Sequence, residues 1–114
     1  MFNKFFVGII FLLSSFFSIA QLHQITFQVD MTKEVISAQG VHIAGDFQSI
    51  AGLGGNWSPS STEVMDDNGD GIFSITVLIP DNTYEYKFIN GNAWGMDESP
   101  PGECSVGSTN NRSL

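Results

Sequence analysis

The side chains of this sequence best suited to recognition chemistry are its two tryptophans, Trp57 and Trp94. Trp57 lies in a stretch rich in Gly, Ser, Asn and Pro, where it has few local apolar neighbours. An indole ring presented to solvent can stack on the C–H face of a pyranose ring, whose hydroxyls then need polar partners at the rim. Lys87, Asn90 and Asn92 are side chains of that kind. The alternative, left open by the two rings alone, is that Trp57 closes one end of the fold.

Residues that would support catalysis or metal binding are few. His23 and His42 are the only histidines, and neither has a cysteine or carboxylate cluster beside it at metal-ligand spacing. Cys104 lacks the context of a reactive cysteine, and the sequence shows no nucleophile elbow or defensible Ser-His-Asp spacing. The acid pair Asp97 and Glu98 offers the two carboxylates of a glycosidase, but a small sandwich rarely forms the cleft between them. We therefore predict a protein without catalytic residues, cofactor or metal.

An acidic turn resembles the first half of a calcium-binding loop. Asp66, Asn68, Asp70 and Gly71 follow the pattern D-x-N-x-D-G. The twelfth position of such a loop should be a bidentate glutamate, and here it is Val77, inside a predicted strand. The pattern favours a structural turn, with a calcium-stabilised fold as the alternative.

The elements that must position these side chains are short strands. Alternating or apolar runs bounded by turn residues predict strands over residues 25–31, 41–47, 62–65 and 72–79, followed by a central stretch over residues 83–94. Gly45 within the second strand predicts a bulge or the close approach of another backbone. Many short strands without a convincing helix are typical of an all-β, immunoglobulin-like antiparallel β-sandwich.

The central stretch carries Lys87 and leads to Trp94. As a strand it directs alternate side chains to opposite faces, with Tyr84, Tyr86 and Phe88 predicted in the core and Glu85, Lys87 and Ile89 on a surface. Asn90 and Gly91 then turn the chain, which predicts that Trp94 returns close to Lys87 at one end of a sheet.

The N-terminal residues 1–20 have the pattern of a cleaved secretory signal. Lys4 precedes an apolar run, and Ala20 ends a small-residue cleavage site. Residues 21–114 then form a single small domain, which we expect in a secreted or cell-surface bacterial protein. Cys104 has no internal partner, so the fold must hold by packing without a disulfide. Residues 112–114 read as the start of a strand that stops short, which predicts truncation at the last strand.

The charge of the chain limits its partners. The chain has twelve Asp and Glu residues but only four Lys and Arg residues, which gives a net charge of −8. Such a surface repels phosphate backbones and anionic lipid, which argues against nucleic acid and, once the signal is removed, against a membrane surface. Neutral ligands such as sugars remain compatible with this charge.

Three segments carry a family likeness. Residues 41–47, the Gly-Asn-Trp-Ser-Pro segment at 55–59, and residues 84–89 followed by Trp94 resemble the starch- and glycogen-binding modules, carbohydrate-binding families 20 and 48. The likeness extends over about residues 25–97. The Gly-Asp-Gly of the acidic turn and the Glu-Tyr-Lys-Phe-Ile-Asn-Gly segment at residues 85–91 look especially like modules of secreted, multidomain Bacteroidetes-type proteins.

The resemblance implies an immunoglobulin-like sandwich that binds α-glucan without cleaving it, usually beside other domains of a larger protein. Its main site corresponds to Trp57, Lys87 and Trp94. One departure is Gly95, since the family often has an acidic residue directly after the second tryptophan and here Asp97 follows only later. Because the same sandwich also serves as a spacer or docking module, a structural module without sugar binding is the alternative.

Overall fold

The structure, a computed structural model, describes residues 21–114 of the chain. The predicted secretory signal lies outside the described residues. The elements in chain order are β1 (Leu22–Asp30), β2 (Val41–Gly45), β3 (Glu63–Val64), β4 (Ile72–Pro80), β5 (Glu85–Asn90), a short 3₁₀ helix (Gly102–Cys104) and β6 (Arg112–Ser113). The prediction of an all-β sandwich is confirmed. No helix within residues 21–114 is long and apolar enough to cross a membrane.

The strands form two antiparallel sheets. β1 pairs with β4 along its full length, from Leu22 opposite Pro80 to Asp30 opposite Ile72. The second sheet has the order β3-β2-β5-β6. A bridge from Met65 to Ser74 links the end of β3 to β4, with N–H to carbonyl distances of 2.8 and 3.2 Å. The two sheets are therefore connected by hydrogen bonds along one side.

The core lies between the sheets because the period-two pattern gives each sheet one apolar face. It consists of buried side chains from both sheets and from residues next to their strands, namely Phe27, Met31, Val41, Ile43, Phe47, Val64, Val77, Ile79, Tyr84 and Phe88. The Phe27 ring stacks on Phe47 at 4.6 Å between centroids and meets the edge of Tyr86 at 4.7 Å. The Tyr84 hydroxyl donates to the Pro80 carbonyl at 2.8 Å, so its polar group remains satisfied on burial.

The two faces of β5 differ from the prediction in one respect. Tyr84 and Phe88 lie in the core as predicted, but Ile89, predicted on a surface, is also fully buried. Residues 91–98, which we name the Trp94 turn, fold back along β5, where Asp97 bridges to Ile89 and the Glu98 N–H donates to the Phe88 carbonyl at 3.0 Å. Ile89 is therefore buried on the face predicted to be open, and the Trp94 turn continues the sheet along the edge of β5 beside it.

Candidate functional site

Trp57 and Trp94 come together in the folded domain. Their ring centroids are 6.4 Å apart and their planes are inclined by 37°. Trp94 is 48% exposed, whereas Trp57 is half-buried. The two rings, the tryptophan pair hereafter, come from separate loops after β2 and β5. Because neither loop has strand periodicity, the distance between the two rings depends on the hydrogen bonds that hold each loop to the sheet.

The loop carrying Trp57 is fastened at the end of β2. Trp57 has a φ of 57°, a left-handed conformation that is uncommon for a bulky residue. Its N–H donates to the Gly45 carbonyl at 3.1 Å. The next residue, Ser58, donates its N–H to Oε1 of Gln48 at 3.0 Å, and its carbonyl accepts from Nε2 of Gln48 at 2.9 Å. The backbone on both sides of the indole is therefore hydrogen bonded to fixed partners.

Gln48 is a positioning residue that the sequence analysis missed. Its side chain is fully buried. Oε1 also accepts the Gly45 N–H at 3.1 Å, and Nε2 also donates to Oγ1 of Thr62 at 3.0 Å. One amide thus joins the end of β2 to both sides of the long loop. A glutamine at the start of a loop rich in Gly and Ser suggests an exposed position, so only its burial identifies it.

Trp94 is linked to Lys87 through Asp97. Oδ1 of Asp97 accepts the N–H of Gly95, the residue after Trp94, at 3.0 Å, and Oδ2 accepts from Nζ of Lys87 at 3.1 Å. The side chains of Lys87 and Asp97 are 14% and 24% exposed. The hydrogen bond from Lys87 is the main reason that the pKa of Asp97 lies below its ordinary value, against the opposing effect of burial. Asp97 thus joins the backbone beside Trp94 to the side chain of Lys87.

The neighbouring acid, Glu98, is bound to the last strand. Nε and Nη2 of Arg112 donate to its two carboxylate oxygens at 2.7 and 3.0 Å, and the Phe88 N–H donates to Oε1 at 3.2 Å. The hydrogen bond to Glu98 also raises the pKa of Arg112. A glycosidase acid needs a raised pKa, and Asp97 in the same pair has a lowered one.

The two candidate asparagines have different surroundings. Oδ1 of Asn90 accepts the Ser37 N–H at 2.9 Å and its Nδ2 donates to the Val35 carbonyl at 2.8 Å, so both ends of the amide hold the loop before β2. Asn92 is exposed on the Trp94 turn. The structure brings the tryptophan pair and Lys87 into one neighbourhood, and it assigns the Asn90 amide to loop contacts.

His42 lies on the same sheet face as Lys87. It stands opposite Ile89 in the β2–β5 ladder, beside the pair of Ala44 and Lys87. Its side chain is buried, and Nδ1 has no hydrogen-bond partner among the described residues. Within residues 21–114, no group of three His, Cys, Asp or Glu is placed to hold a metal ion.

The acidic turn between β3 and β4 is closed by its own carboxylates. Oδ1 of Asp66 accepts the Asp70 N–H at 3.1 Å and Oδ2 accepts the Gly71 N–H at 2.9 Å. Oδ1 of Asp70 accepts the Ile72 N–H at 3.1 Å, at the start of β4. The backbone bond from Gly71 is the main cause of the lowered pKa of Asp66. This is the arrangement expected of a structural turn.

Two clefts among the described residues lie near or away from the tryptophan pair without being lined by it. A cleft of about 320 Å³ lies at the far end of β1 and β4, beside His23, Asp81 and Leu114. A second, of about 440 Å³, includes Met96 and Asp97 and adjoins the Trp94 turn. The 48% exposure of Trp94 places one ring of the pair at the surface of the domain.

Comparison with known proteins places these residues in a described family. The model of the pullulanase X25 domain matches residues 40–112, a segment that contains Trp57, Lys87 and Trp94. Two similar relatives are an amylopullulanase of Thermoanaerobacterium thermosulfurigenes, 43% identical over 54 residues, and one of Thermoanaerobacterium saccharolyticum, 44% identical over 54 residues. Each alignment covers 46% of this chain, but only 3% and 4% of the respective relatives.

The matched family agrees in part with the family expected from the sequence. A carbohydrate-related domain was expected, and that coarser expectation is confirmed. The family that matches is the X25 domain rather than family 20 or family 48. Since its model covers most of the chain, the protein belongs to the pullulanase X25 domain family.

Proposed function

We propose that this domain is a non-catalytic accessory module that binds α-glucan on Trp57, Trp94 and Lys87. The observation that carries the proposal is the tryptophan pair, two indoles 6.4 Å apart, one of them half exposed. The names of the relatives, both amylopullulanases, support a starch- or pullulan-type polysaccharide as the ligand. The order of these three residues, which resembles the main site of the starch-binding family, supports it as well.

The inclination of the two rings favours a curved sugar chain. A flat β-linked glucan offers coplanar faces, whereas successive units of an α-1,4-glucan are rotated along a helix. Indole planes inclined by 37° match successive units of the helical chain better than a flat ribbon. Lys87 uses one N–H on Asp97 and keeps further donors for a hydroxyl.

The polar rim of the proposed site is small. Asn92 is exposed on the Trp94 turn and is assigned to the rim, whereas Asn90 supports the site by fixing the adjoining loop. Two stacking contacts and a few hydrogen bonds should give millimolar to micromolar affinity, on the order of −4 to −8 kcal/mol.

Three further observations support a location and a domain context for the module. Its relatives are far longer than the matched segment, so we propose that it works beside other domains of a larger protein. The signal-like residues 1–20 support a secreted or cell-surface location. A net charge of −8 disfavours nucleic acid and anionic membranes as partners.

The test of α-glucan binding is a titration of tryptophan fluorescence with maltoheptaose, with cellohexaose as the control sugar. Both tryptophans of the chain lie in the proposed site, so binding should change most of the signal. A saturable change with maltoheptaose alone supports the proposal. No change with either sugar, on a domain that unfolds cooperatively, would refute it.

Replacement of Trp94 by Ala should weaken maltoheptaose binding by about 2 kcal/mol or more, as is usual for a central tryptophan in an interface. Because the ring is 48% exposed, the melting temperature should change little. Calorimetry would measure both effects. Leu78→Ala, which removes a similarly exposed apolar side chain from β4, is the matched control and should bind as the wild type does.

A structural spacer or docking module remains the second candidate. The observation in its favour is that Trp57 is half-buried, which is consistent with a ring that contributes to the fold. This candidate predicts that Trp57→Ala unfolds the domain and that the folded wild type binds no glucan. Binding by the wild type, with loss of binding in a folded Trp57→Ala variant, would decide for the carbohydrate module.

A further inference from the structure

The position of Trp94 depends on a turn with few contacts of its own. Residues 92–96 are exposed, and Gly95 has a φ of 98°, a conformation that glycine adopts without strain. Within the turn, the Met96 N–H reaches the Ala93 carbonyl only at 3.4 Å, and the Met96 carbonyl accepts the Asn90 N–H at 3.0 Å, so backbone bonds hold the turn to β5 after Gly95 but not at Trp94. Such a turn needs an outside anchor to hold an indole at a fixed distance from a second ring.

Asp97 provides that anchor with two hydrogen bonds in different directions. Its Oδ1 holds the Gly95 N–H at 3.0 Å, and its Oδ2 holds the Lys87 ammonium at 3.1 Å. Lys87 lies within β5, opposite Ala44 of β2. The backbone beside Trp94 is thereby connected through one carboxylate to the centre of a sheet.

We propose that Asp97 is a positioning residue for the α-glucan site, which fixes the Trp94 ring against Trp57 and aims Lys87 at the same ligand. It does so without touching the sugar itself. The proposal rests on the proposed function for its ligand, but its structural part, the fixed geometry of the tryptophan pair, can be measured without any sugar.

Other charged groups near Asp97 are already engaged. Glu98, the next residue, is bound by Arg112 of β6 through two hydrogen bonds. Lys87 is therefore the cation that faces Asp97, and neutralising Asp97 leaves Lys87 without its partner. A partly buried ion pair that loses one member leaves the other charge uncompensated, so removal of Asp97 should affect both ends of the contact.

The first readout is circular dichroism in the far ultraviolet. Two indoles held at a short distance and fixed inclination couple their transitions and give an exciton couplet, which Trp57→Phe or Trp94→Phe must remove. We expect Asp97→Ala to lose most of this couplet while the domain still unfolds cooperatively. Asp67→Asn, which removes one negative charge from an exposed position in the acidic turn, is the matched control and should keep it.

The second readout is maltoheptaose affinity. Asp97→Ala should bind about tenfold more weakly than the wild type, because a charge-assisted hydrogen bond is lost and the turn must be ordered on binding. Asp97→Asn keeps an oxygen for the Gly95 N–H but loses the charge pair with Lys87, so it should rescue part of the couplet and part of the affinity. This graded rescue is not expected if Asp97 only stabilises the fold.

The outcomes separate the two proposals. Full couplet and full affinity in folded Asp97→Ala would overturn the role of Asp97. A wild type that shows the couplet but binds no glucan would refute the proposed function, while loss of the couplet in Asp97→Ala would still support the positioning role. If Asp97→Ala does not fold, Asp97→Asn decides, and an unchanged couplet and affinity there would overturn the proposal.

Discussion

At the scale of single residues, the proposed site depends on polar side chains that are themselves poorly exposed. Trp57 and Trp94 are the apolar surface of the proposed site, but each ring lies on an aperiodic loop. Gln48 holds the first loop through four hydrogen bonds, and Asp97 holds the second through two. Because a buried polar group is costly unless it is paired, these contacts give each loop one strongly preferred arrangement.

Replacement of Gln48 by Ala should destabilise the domain strongly. It leaves the Gly45 and Ser58 N–H groups without their acceptor, at about 1–3 kcal/mol for each buried donor that finds no other partner. Urea unfolding would measure the loss. Gln28→Ala, at an exposed position of β1, is the matched control and should change the free energy of unfolding by about 0.5 kcal/mol or less. Equal effects of the two substitutions would contradict the assigned role of Gln48.

At the scale of the elements, the ladder of β2 and β5 is the part of the fold that reaches the site. β2 ends at Gly45, two residues before the predicted end. There the Gly45 N–H donates to Oε1 of Gln48, and the Gly45 carbonyl accepts the Trp57 N–H. At Asp46 a side chain replaces a backbone acceptor in the contact with β5, because Oδ1 of Asp46 accepts the Glu85 N–H at 2.9 Å. The end of β2 is therefore where the sheet meets the Trp57 loop.

Gly45 has no room for a side chain. A Cβ atom there would lie 2.5 Å from the Glu85 carbonyl oxygen and 2.8 Å from the Phe47 ring. The close backbone approach predicted from the sequence is thus confirmed. Gly45→Ala should lower the free energy of unfolding by about 1–3 kcal/mol, the usual cost of overpacking.

The matched control for that substitution is Gly55→Ala. A Cβ at Gly55 meets nothing within 4 Å, and its φ is not in the left-handed region. Thermal unfolding of both variants would measure the difference. A melting temperature of Gly45→Ala equal to that of Gly55→Ala would show that β2 and β5 can separate without cost.

At the scale of the whole molecule, stability depends on carboxylates in an acidic chain. Asp30, Asp66 and Asp97 have pKa values below their ordinary value of 3.8, mainly because of hydrogen bonds from the Thr32 hydroxyl, the Gly71 N–H and the Lys87 ammonium respectively. A pKa that is lower in the folded state means that the unfolded state binds protons first as the pH falls. These groups stabilise the fold above their unfolded pKa, and that contribution is lost as the pH falls through the folded value.

The free energy of unfolding should therefore decrease between about pH 5 and pH 2. Protonation also relieves repulsion within a chain of net charge −8, which acts in the opposite direction. At about 0.15 M salt the screening length is about 8 Å, so this long-range repulsion is weak beside direct hydrogen bonds. Urea unfolding across this pH range would measure the balance. Asp66→Asn should flatten the profile, and a wild type that gains stability in acid would contradict the prediction.

The sequence by itself determined the layers of the fold. The alternation in residues 25–31 and 72–79 sorts each strand into a core face and an outer face, and this local property yields β1, β4 and much of the core. The acidic turn could also be predicted from the sequence, because the Asp66 side chain accepts hydrogen bonds from residues only four and five positions later, Asp70 and Gly71. The sequence also singled out Trp57, Lys87 and Trp94, the three residues of the proposed site, through their types and their order.

Tertiary structure decided the geometry of the site. The 6.4 Å approach of Trp57 to Trp94, the burial of Gln48 and the pairing of the Trp94 turn with Ile89 follow from loops that return to the sheet. Loops without a hydrophobic period carry no local signal of where they will lie. Their positions are set by a few hydrogen bonds to partners that the sheet topology brings near, and those partners exist only once the strands have paired.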